Sequence, residues 1–165
     1  MAAEISNCDT CNGGLVFDAF GPYPAIDLLN GKAWCALDTS DLWKQEVRGE
    51  DRIVPGLEGS RPYPRLRAAV TMQFPLVVVG ARDPSGALFA NPVAGLAANL
   101  AFLRDNLEAP VSVGDGTRPL TWTRPDGVVL RAQVHVVPPL EHRIGPGATC
   151  RAVLTISVPR PFAVV

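Results

Sequence analysis

Two stretches near the carboxyl end of the chain alternate apolar and polar residues, and this period of two restricts the possible folds more than any other feature. In residues 149–158 every second residue is apolar, namely Cys150, Ala152, Leu154, Ile156 and Val158. Residues 128–137 repeat the pattern with Val128, Leu130, Ala132, Val134 and Val136. Successive side chains of a strand point to opposite faces of a sheet, so each stretch predicts a strand with one core face.

Turn residues join these stretches to further strands. Pro125-Asp126-Gly127 separates residues 119–124 from 128–137, and this composition predicts a β-hairpin. Residues 68–74 and 76–79 predict two more strands, and Pro75 between them indicates a bulge or a sheet edge.

Residues 92–108 have the spacing of an amphipathic helix. Asn91 can accept hydrogen bonds from the first turn, and Pro92 fits that turn because its missing N–H would have no partner there. Pro110 ends the segment. We expect the helix to pack on a sheet through an apolar stripe formed by Val93, Leu96, Ala97, Leu100, Leu103 and Leu107.

The rest of the chain is rich in turn formers, since proline (16) and glycine (15) make up 31 of 165 residues. Residues 138–147 predict a loop and residues 15–20 a short strand. The residues expected to be buried before the sheet are Trp34, Leu37, Leu42 and Trp43. The sequence therefore predicts a mainly β fold, an antiparallel β-sandwich or barrel with one flanking helix. An irregular leader, 1–14, precedes a single domain, 15–165.

Residues 47–67 form the most informative loop of the chain. They contain five arginines, three glycines and three prolines with few apolar residues, and their spacing indicates neither helix nor strand. Acidic residues lie among the arginines, which favours protein–protein contact over a nucleic-acid groove. The residues that we expect to contact a neighbouring subunit are Arg48, Arg52, Pro55, Arg61, Tyr63 and Arg65.

Composition excludes several classes of protein. Hydrophobic residues at 47% and charged residues at 19% indicate a folded chain, and a net charge of −1 argues against a protein built to neutralise nucleic-acid phosphates. No apolar run approaches the ~20 residues that span a bilayer. The first residues have no basic region followed by an apolar one, so we expect no secretory signal.

Four cysteines leave three interpretations open. Cys8 and Cys11 have the CxxC spacing of a zinc site that Cys35 and Cys150 could complete, although the latter two lack that spacing and Cys150 falls on a core face. A disulfide could join Cys8 to Cys11, or one of them to Cys35. We favour reduced structural thiols, with no metal and no cofactor.

No group of residues has the pattern of a catalytic site. Leu37-Asp38-Thr39-Ser40 resembles an aspartic protease loop only superficially, because that chemistry needs a second such aspartate, and a turn or helix-capping role is favoured. The sequence has no serine or cysteine on a tight nucleophile turn that His135 or His142 could activate. We therefore expect a protein that is not an enzyme.

The order of these features resembles the minor tail proteins of long-tailed (siphovirus-type) actinobacteriophages, and more widely the tail-tube and distal-tail-protein fold. The resemblance covers about residues 28–160. Its segments are RGEDRIVPGLEGSRPYPR, PLVVVG, residues 91–107 (NPVAGLAANLAFLRDNL), GDGTRPLTW and AVLTISVP. The resemblance does not extend to the Cys8/Cys11 leader, and the role of the leader stays open.

The resemblance implies a β-sandwich whose subunits form a ring, hexameric in such proteins, at or near the tail tip. It implies contacts with other copies of the chain and with tube, hub and tape-measure proteins, DNA passing only transiently through a channel, and no membrane. The protein would be assembled in the bacterial host cytoplasm and reside in the virion tail.

Other functions remain as alternatives. Within the tail, the chain could be a tube subunit or a tail-end ring protein. A carbohydrate- or receptor-binding β-sandwich is the alternative from another class, and its aromatic platform would come from Trp34, Trp43, Trp122, Tyr23 and Tyr63. A metal-dependent enzyme built on the cysteines is the least favoured, because their spacing is poor.

Overall fold

The structure, a computed structural model, describes residues 13–43, 70–108, 116–160 and 162–165, and the backbone of four residue pairs between 47 and 67. These parts form one α-helix, α1 (Pro92–Leu107), a 3₁₀ turn at Ser40–Trp43 and twelve strands. The strands are β1 (Gly14–Phe17), β2 (Ile26–Asp27), β3 (Trp34–Ala36), β4 (Val47–Arg48), β5 (Arg52–Ile53), β6 (Ser60–Arg61), β7 (Leu66–Arg67), β8 (Val70–Val79), β9 (Arg118–Thr123), β10 (Val129–Gly145), β11 (Thr149–Val158) and β12 (Ala163–Val164).

Eight strands form one antiparallel sheet that curls into a half-barrel. Its order is β2-β1-β9-β10-β11-β8-β3, and β12 pairs with the beginning of β10. The two outermost strands approach each other, because the Ala36 N–H donates to the Leu28 carbonyl at 2.8 Å and the Trp34 indole donates to the Asp27 carbonyl at 2.8 Å. The prediction of a mainly β fold with one flanking helix is confirmed.

Alternation along β10 and β11 divides the sheet into a core face and an outer face. All five predicted core residues of β11 are buried, as are Leu130, Ala132, Val134 and Val136 of β10. Trp34, Leu42 and Trp122 are buried as well. The expectation was wrong for Leu37 and Trp43, which are 37% and 48% exposed because they lie at the margin of the core.

Strand β10 continues through the segment that composition predicts as a loop. It runs to Gly145, and its pairing with β11 shifts between Val137 and Glu141. Prolines 138 and 139 lie within this shift. Neither has a backbone N–H, but the two strands are not regularly paired here, so no hydrogen bond between them is lost. Leu140 turns into the core, and its N–H donates to the carboxylate of Glu108, the C-cap of α1.

Pro75 does not create the predicted bulge, and the two strands predicted on either side of it are one strand, β8. Strand β8 pairs with β11 residue by residue from Val70 to Val79. The Pro75 carbonyl accepts a hydrogen bond from Leu37, so the missing N–H of Pro75 also faces the β3 side. A proline in this orientation removes no hydrogen bond from the pairing with β11.

Helix α1 begins and ends close to the predicted bounds, but its buried face is rotated relative to the predicted apolar stripe. The Asn91 side chain accepts hydrogen bonds from the N–H groups of residues 93 and 94, as expected of a cap. Leu96, Leu103 and Leu107 are buried and Leu100 is partly buried, whereas Val93 is 70% exposed and Ala97 is exposed. Buried in addition are Gly95 and Asn99.

Gly95 and Asn99 hold the helix directly against the end of β8. A Cβ at Gly95 would lie 2.3 Å from the Gly80 carbonyl oxygen and 2.4 Å from the Phe89 ring. One turn later, the Asn99 amide donates to the carbonyl of Val79 at 2.7 Å and to that of Arg82 at 2.8 Å. This close approach fixes the face that α1 turns to the sheet.

Arg118, at the start of β9, is the largest buried charged residue, with 1% of its surface exposed. Its guanidinium donates to the backbone carbonyls of Asp18 (3.1 Å), Asn106 and Pro24, and it lies 5.5 Å from the centre of the Phe17 ring. Burial lowers the pKa of this side chain. One cation therefore connects the end of α1, the end of β1 and the segment before β2.

We predict that Gly95→Ala destabilises the protein by about 1–3 kcal/mol, because the added methyl group overlaps the Gly80 carbonyl. Helix propensity alone predicts the opposite sign, a gain of about 1 kcal/mol. Urea unfolding measures the difference. A more stable variant would contradict the close contact.

We also predict that Leu103→Ala costs about 2–5 kcal/mol, since Leu103 is 0% exposed within the core. Val93→Ala is the control on the same helix and should change stability by less than about 0.5 kcal/mol, because its side chain is 70% exposed. Equal losses in thermal unfolding would mean that the helix face is assigned wrongly.

Candidate interaction surfaces

Residues 47–67, called the arm below, contain backbone pairing that their side-chain pattern does not predict. Strand β4 pairs antiparallel with β7, and β5 pairs antiparallel with β6. The expectation of neither helix nor strand was wrong at these pairs. Strand pairing depends on backbone groups, and a two-stranded pair need not bury one face, so no apolar alternation is required.

The two pairs of the arm are nested, as in one hairpin. Val47 is opposite Arg67, and inside that pair Arg52 is opposite Arg61. Both pairs are sheets separate from the eight-stranded one. The side chains of the predicted contact residues Arg48, Arg52, Pro55, Arg61, Tyr63 and Arg65 lie outside the described residues.

The described cysteines are in different states and on different faces of the sheet. Cys35 is disulfide-bonded and Cys150 is a free, buried thiol whose pKa is raised by burial. Cys150 is opposite Val78, which pairs with Trp34 on the core face, whereas Cys35 is opposite Val77 on the outer face. The chain has four cysteines, so the partner of Cys35 is Cys8 or Cys11, both outside the described residues.

This arrangement corrects the interpretation of the cysteines. Reduced structural thiols were predicted, and that holds for Cys150 but not for Cys35. A zinc site formed by all four cysteines does not fit, because Cys35 and Cys150 point to opposite sides of the sheet and Cys35 already shares a disulfide. Of the three interpretations, the one with a disulfide that includes Cys35 agrees with the structure.

The polar groups singled out in the sequence have structural partners. The Asp38 carboxylate accepts from the Ser40 N–H at 2.8 Å, which is the expected turn role. His135 Nδ1 lies 3.1 Å from the Gly116 carbonyl oxygen, and His142 Nδ1 lies 3.3 Å from that of Leu140. Among the described residues, no three His, Cys, Asp or Glu side chains are grouped so that they could hold a metal ion.

The three tryptophans, all among the described residues, do not form a flat platform for a sugar, and Tyr63 lies outside the described residues. Trp34 and Trp122 are each only 2% exposed. Trp43 is half exposed, but its ring meets Trp122 edge-on at 4.8 Å, and the Arg124 guanidinium lies 5.0 Å from the ring centre. This geometry does not favour the carbohydrate-binding alternative.

Large apolar side chains are exposed at one end of the sheet, where β8 ends and the β10–β11 hairpin turns. Ile144 is 69% exposed near that turn. The Gly80 N–H donates to the Ala148 carbonyl at 3.0 Å, which brings the connection from β8 to α1 beside the hairpin. That connection and the first helical turn carry Leu88 (71% exposed) and Val93 (70% exposed). Apolar groups in such positions favour contact with another protein.

No family model matches this chain, and no curated protein is detectably similar to it. Within the described ranges, no helix has the length and apolar character needed to cross a membrane.

We predict that Cys35→Ser, which removes the disulfide, lowers stability by about 2–4 kcal/mol because the unfolded chain loses a covalent constraint. Thermal unfolding with and without reductant measures this loss. Reductant should destabilise the unmodified protein and leave Cys35→Ser unaffected. Alkylation of all four cysteines without prior reduction would contradict the disulfide.

Proposed function

We propose that this protein is a non-catalytic structural subunit of a bacteriophage tail, a distal tail or minor tail protein that forms a ring at or near the tail tip. The proposal rests on the resemblance of residues 28–160 to actinobacteriophage minor tail proteins. The mainly β, curled sheet with a single helix agrees with the fold that the resemblance implies.

The nested strand pairs of the arm are the observation that supports this function best. A paired arm separate from the main sheet gives the chain a segment that can contact a neighbouring subunit while the core remains intact. Its outer backbone edges can also pair with another strand. In this role the protein would contact other copies of itself and the tube, hub and tape-measure proteins.

Exposed apolar side chains provide a second possible contact. Leu88, Val93 and Ile144 occupy the end of the sheet at the β10–β11 turn. In a stack of rings, the ends of each subunit face the rings above and below, so apolar groups there would become buried on assembly. A tube subunit or a tail-end ring protein would use the same surfaces.

We predict that replacing residues 49–62 with a short Gly/Ser linker leaves a folded protein but prevents ring formation and incorporation into tails. The eight-stranded sheet contains no residue of the replaced segment, so circular dichroism and the melting temperature should stay close to those of the unmodified chain. Light scattering after size exclusion measures assembly, and isolated particles measure incorporation.

A control of the same kind replaces Pro125 and Asp126, in the turn between β9 and β10, with glycine and serine. This turn is at the opposite end of β10 from Ile144 and outside the arm. This change shortens no part of the eight-stranded sheet and should leave assembly intact. Normal tails from the arm-replaced chain would overturn the proposed role of the arm. Loss of the fold would show that the arm belongs to the core.

A further inference from the structure

A groove on the outer face of the sheet has two arginines, without an ion pair to any described residue, beside an apolar floor. It encloses about 360 Å³. Its lining includes Leu37, Pro75, Glu141, Arg143, Arg151 and Val153. These residues come from β8, β10, β11 and the end of β3, four neighbouring segments of the sheet.

The register places the two arginines side by side. Arg143 of β10 and Arg151 of β11 are directly opposite each other, so both side chains leave the same face. Opposed residues in an antiparallel pair have Cβ atoms about 4.5–5.5 Å apart, and like charges in this position repel. Both side chains are exposed, and neither guanidinium has an ion pair or hydrogen bond with a described residue.

Another outer-face arginine shows how this fold neutralises such a charge. Arg131, earlier in β10, lies opposite Thr121. Its Nε donates to the Asp18 carboxylate at 2.8 Å, and the Thr121 hydroxyl donates to the same oxygen at 2.9 Å. Arg143 and Arg151 have no equivalent of Asp18. Glu141, two residues before Arg143 on the same face, forms no ion pair with either arginine.

Apolar side chains lie next to the arginines on the same face. Val153 is opposite Glu141 on one side and Pro75 on the other, and the Pro75 carbonyl accepts from the Leu37 N–H. Leu37 is 37% exposed here instead of joining the core. A ligand that combines an anionic group with an apolar group would complement this surface.

We propose that this groove binds an acidic segment of a partner protein, with a carboxylate on Arg143 and Arg151 and an apolar side chain on Leu37 and Val153. We choose an acidic ligand because its carboxylate is complementary in charge to the two arginines. A single carboxylate can contact the two arginines, whereas Glu141 in the groove disfavours a ligand with a run of negative charges such as a polyphosphate backbone. The net charge of −1 does not attract nucleic acid. The groove is open to solvent instead of enclosed, which suits a peptide more than a small molecule surrounded on all sides.

The probe is the peptide acetyl-Gly-Glu-Gly-Leu-Gly-amide, in which glutamate and leucine are two residues apart and leave the same face of an extended chain. Binding is followed through the arginine Nε–Hε signals in NMR spectra. We expect the signals of Arg143 and Arg151 to shift at millimolar peptide. Arg151→Gln should weaken binding about tenfold or more, as expected for loss of a charged hydrogen bond. Arg160→Gln, at an exposed arginine outside the groove, is the matched control and should bind normally.

Stability gives a second readout that needs no ligand. If the arginines repel each other, Arg151→Gln should raise the melting temperature by about 1–3 °C. A lower melting temperature would assign Arg151 a structural role and overturn the proposal. The absence of any shift with the peptide, equal binding of its Gln-Gly-Leu counterpart, or tighter binding of a short oligothymidine would also overturn the proposal. The proposal does not depend on a tail function, because none of these measurements involves assembly.

Discussion

The side chain of Arg118 connects parts of the protein that no strand pairing joins. From β9 it reaches the end of β1 at Asp18, the segment before β2 at Pro24 and the last turn of α1 at Asn106. The final carbonyls of a helix have no partner within the helix and carry its negative dipole end, so a cation there satisfies both needs. An apolar residue of similar size would fill the space but leave three carbonyls buried without donors. The position of the helix end relative to the sheet follows from this one group.

At its N-terminal end, α1 is held by close backbone packing and not by a charged side chain. Gly80 and Gly95 let the backbones of the strand end and the helix approach closely. The Asn99 amide donates hydrogen bonds to the carbonyls at and just after the end of β8. Between these two anchors the leucines pack on the core, and Phe102 stacks on Trp34 of β3 at 5.6 Å. The helix thus covers the core face and contacts β8 and β3 directly, while Arg118 connects its last turn to β9.

Sequence patterns predicted the parts of the fold that depend on local periodicity. The faces of β10 and β11, the cap at Asn91 and the turn at 125–127 follow from alternation and turn chemistry alone. The rotation of α1 could not be predicted in the same way, because Gly95 and Asn99 are not apolar and their burial depends on a backbone far away in the sequence. A row of residues spaced by four, from Gly95 to Leu107, was the available signal.

The candidate surfaces were less accessible to sequence reasoning. The opposition of Arg143 and Arg151 depends on a register that is set after the shift in β10, and prolines had predicted a loop there. The state of Cys35 likewise depends on which face of β3 it occupies, a property that a three-residue strand does not reveal. The length and charge of the arm did identify it as a candidate contact, although its backbone pairing was not predicted.

The base of the arm has a consequence for how such a chain can vary. Because Val47 and Arg67 are paired, the chain leaves and re-enters this region through positions about 5 Å apart. Adding one residue to each side lengthens the arm by about 3.4 Å and leaves the spacing at its base unchanged. The reach of the arm can therefore change through balanced insertions while the eight-stranded sheet keeps its register, so the two parts can evolve at different rates.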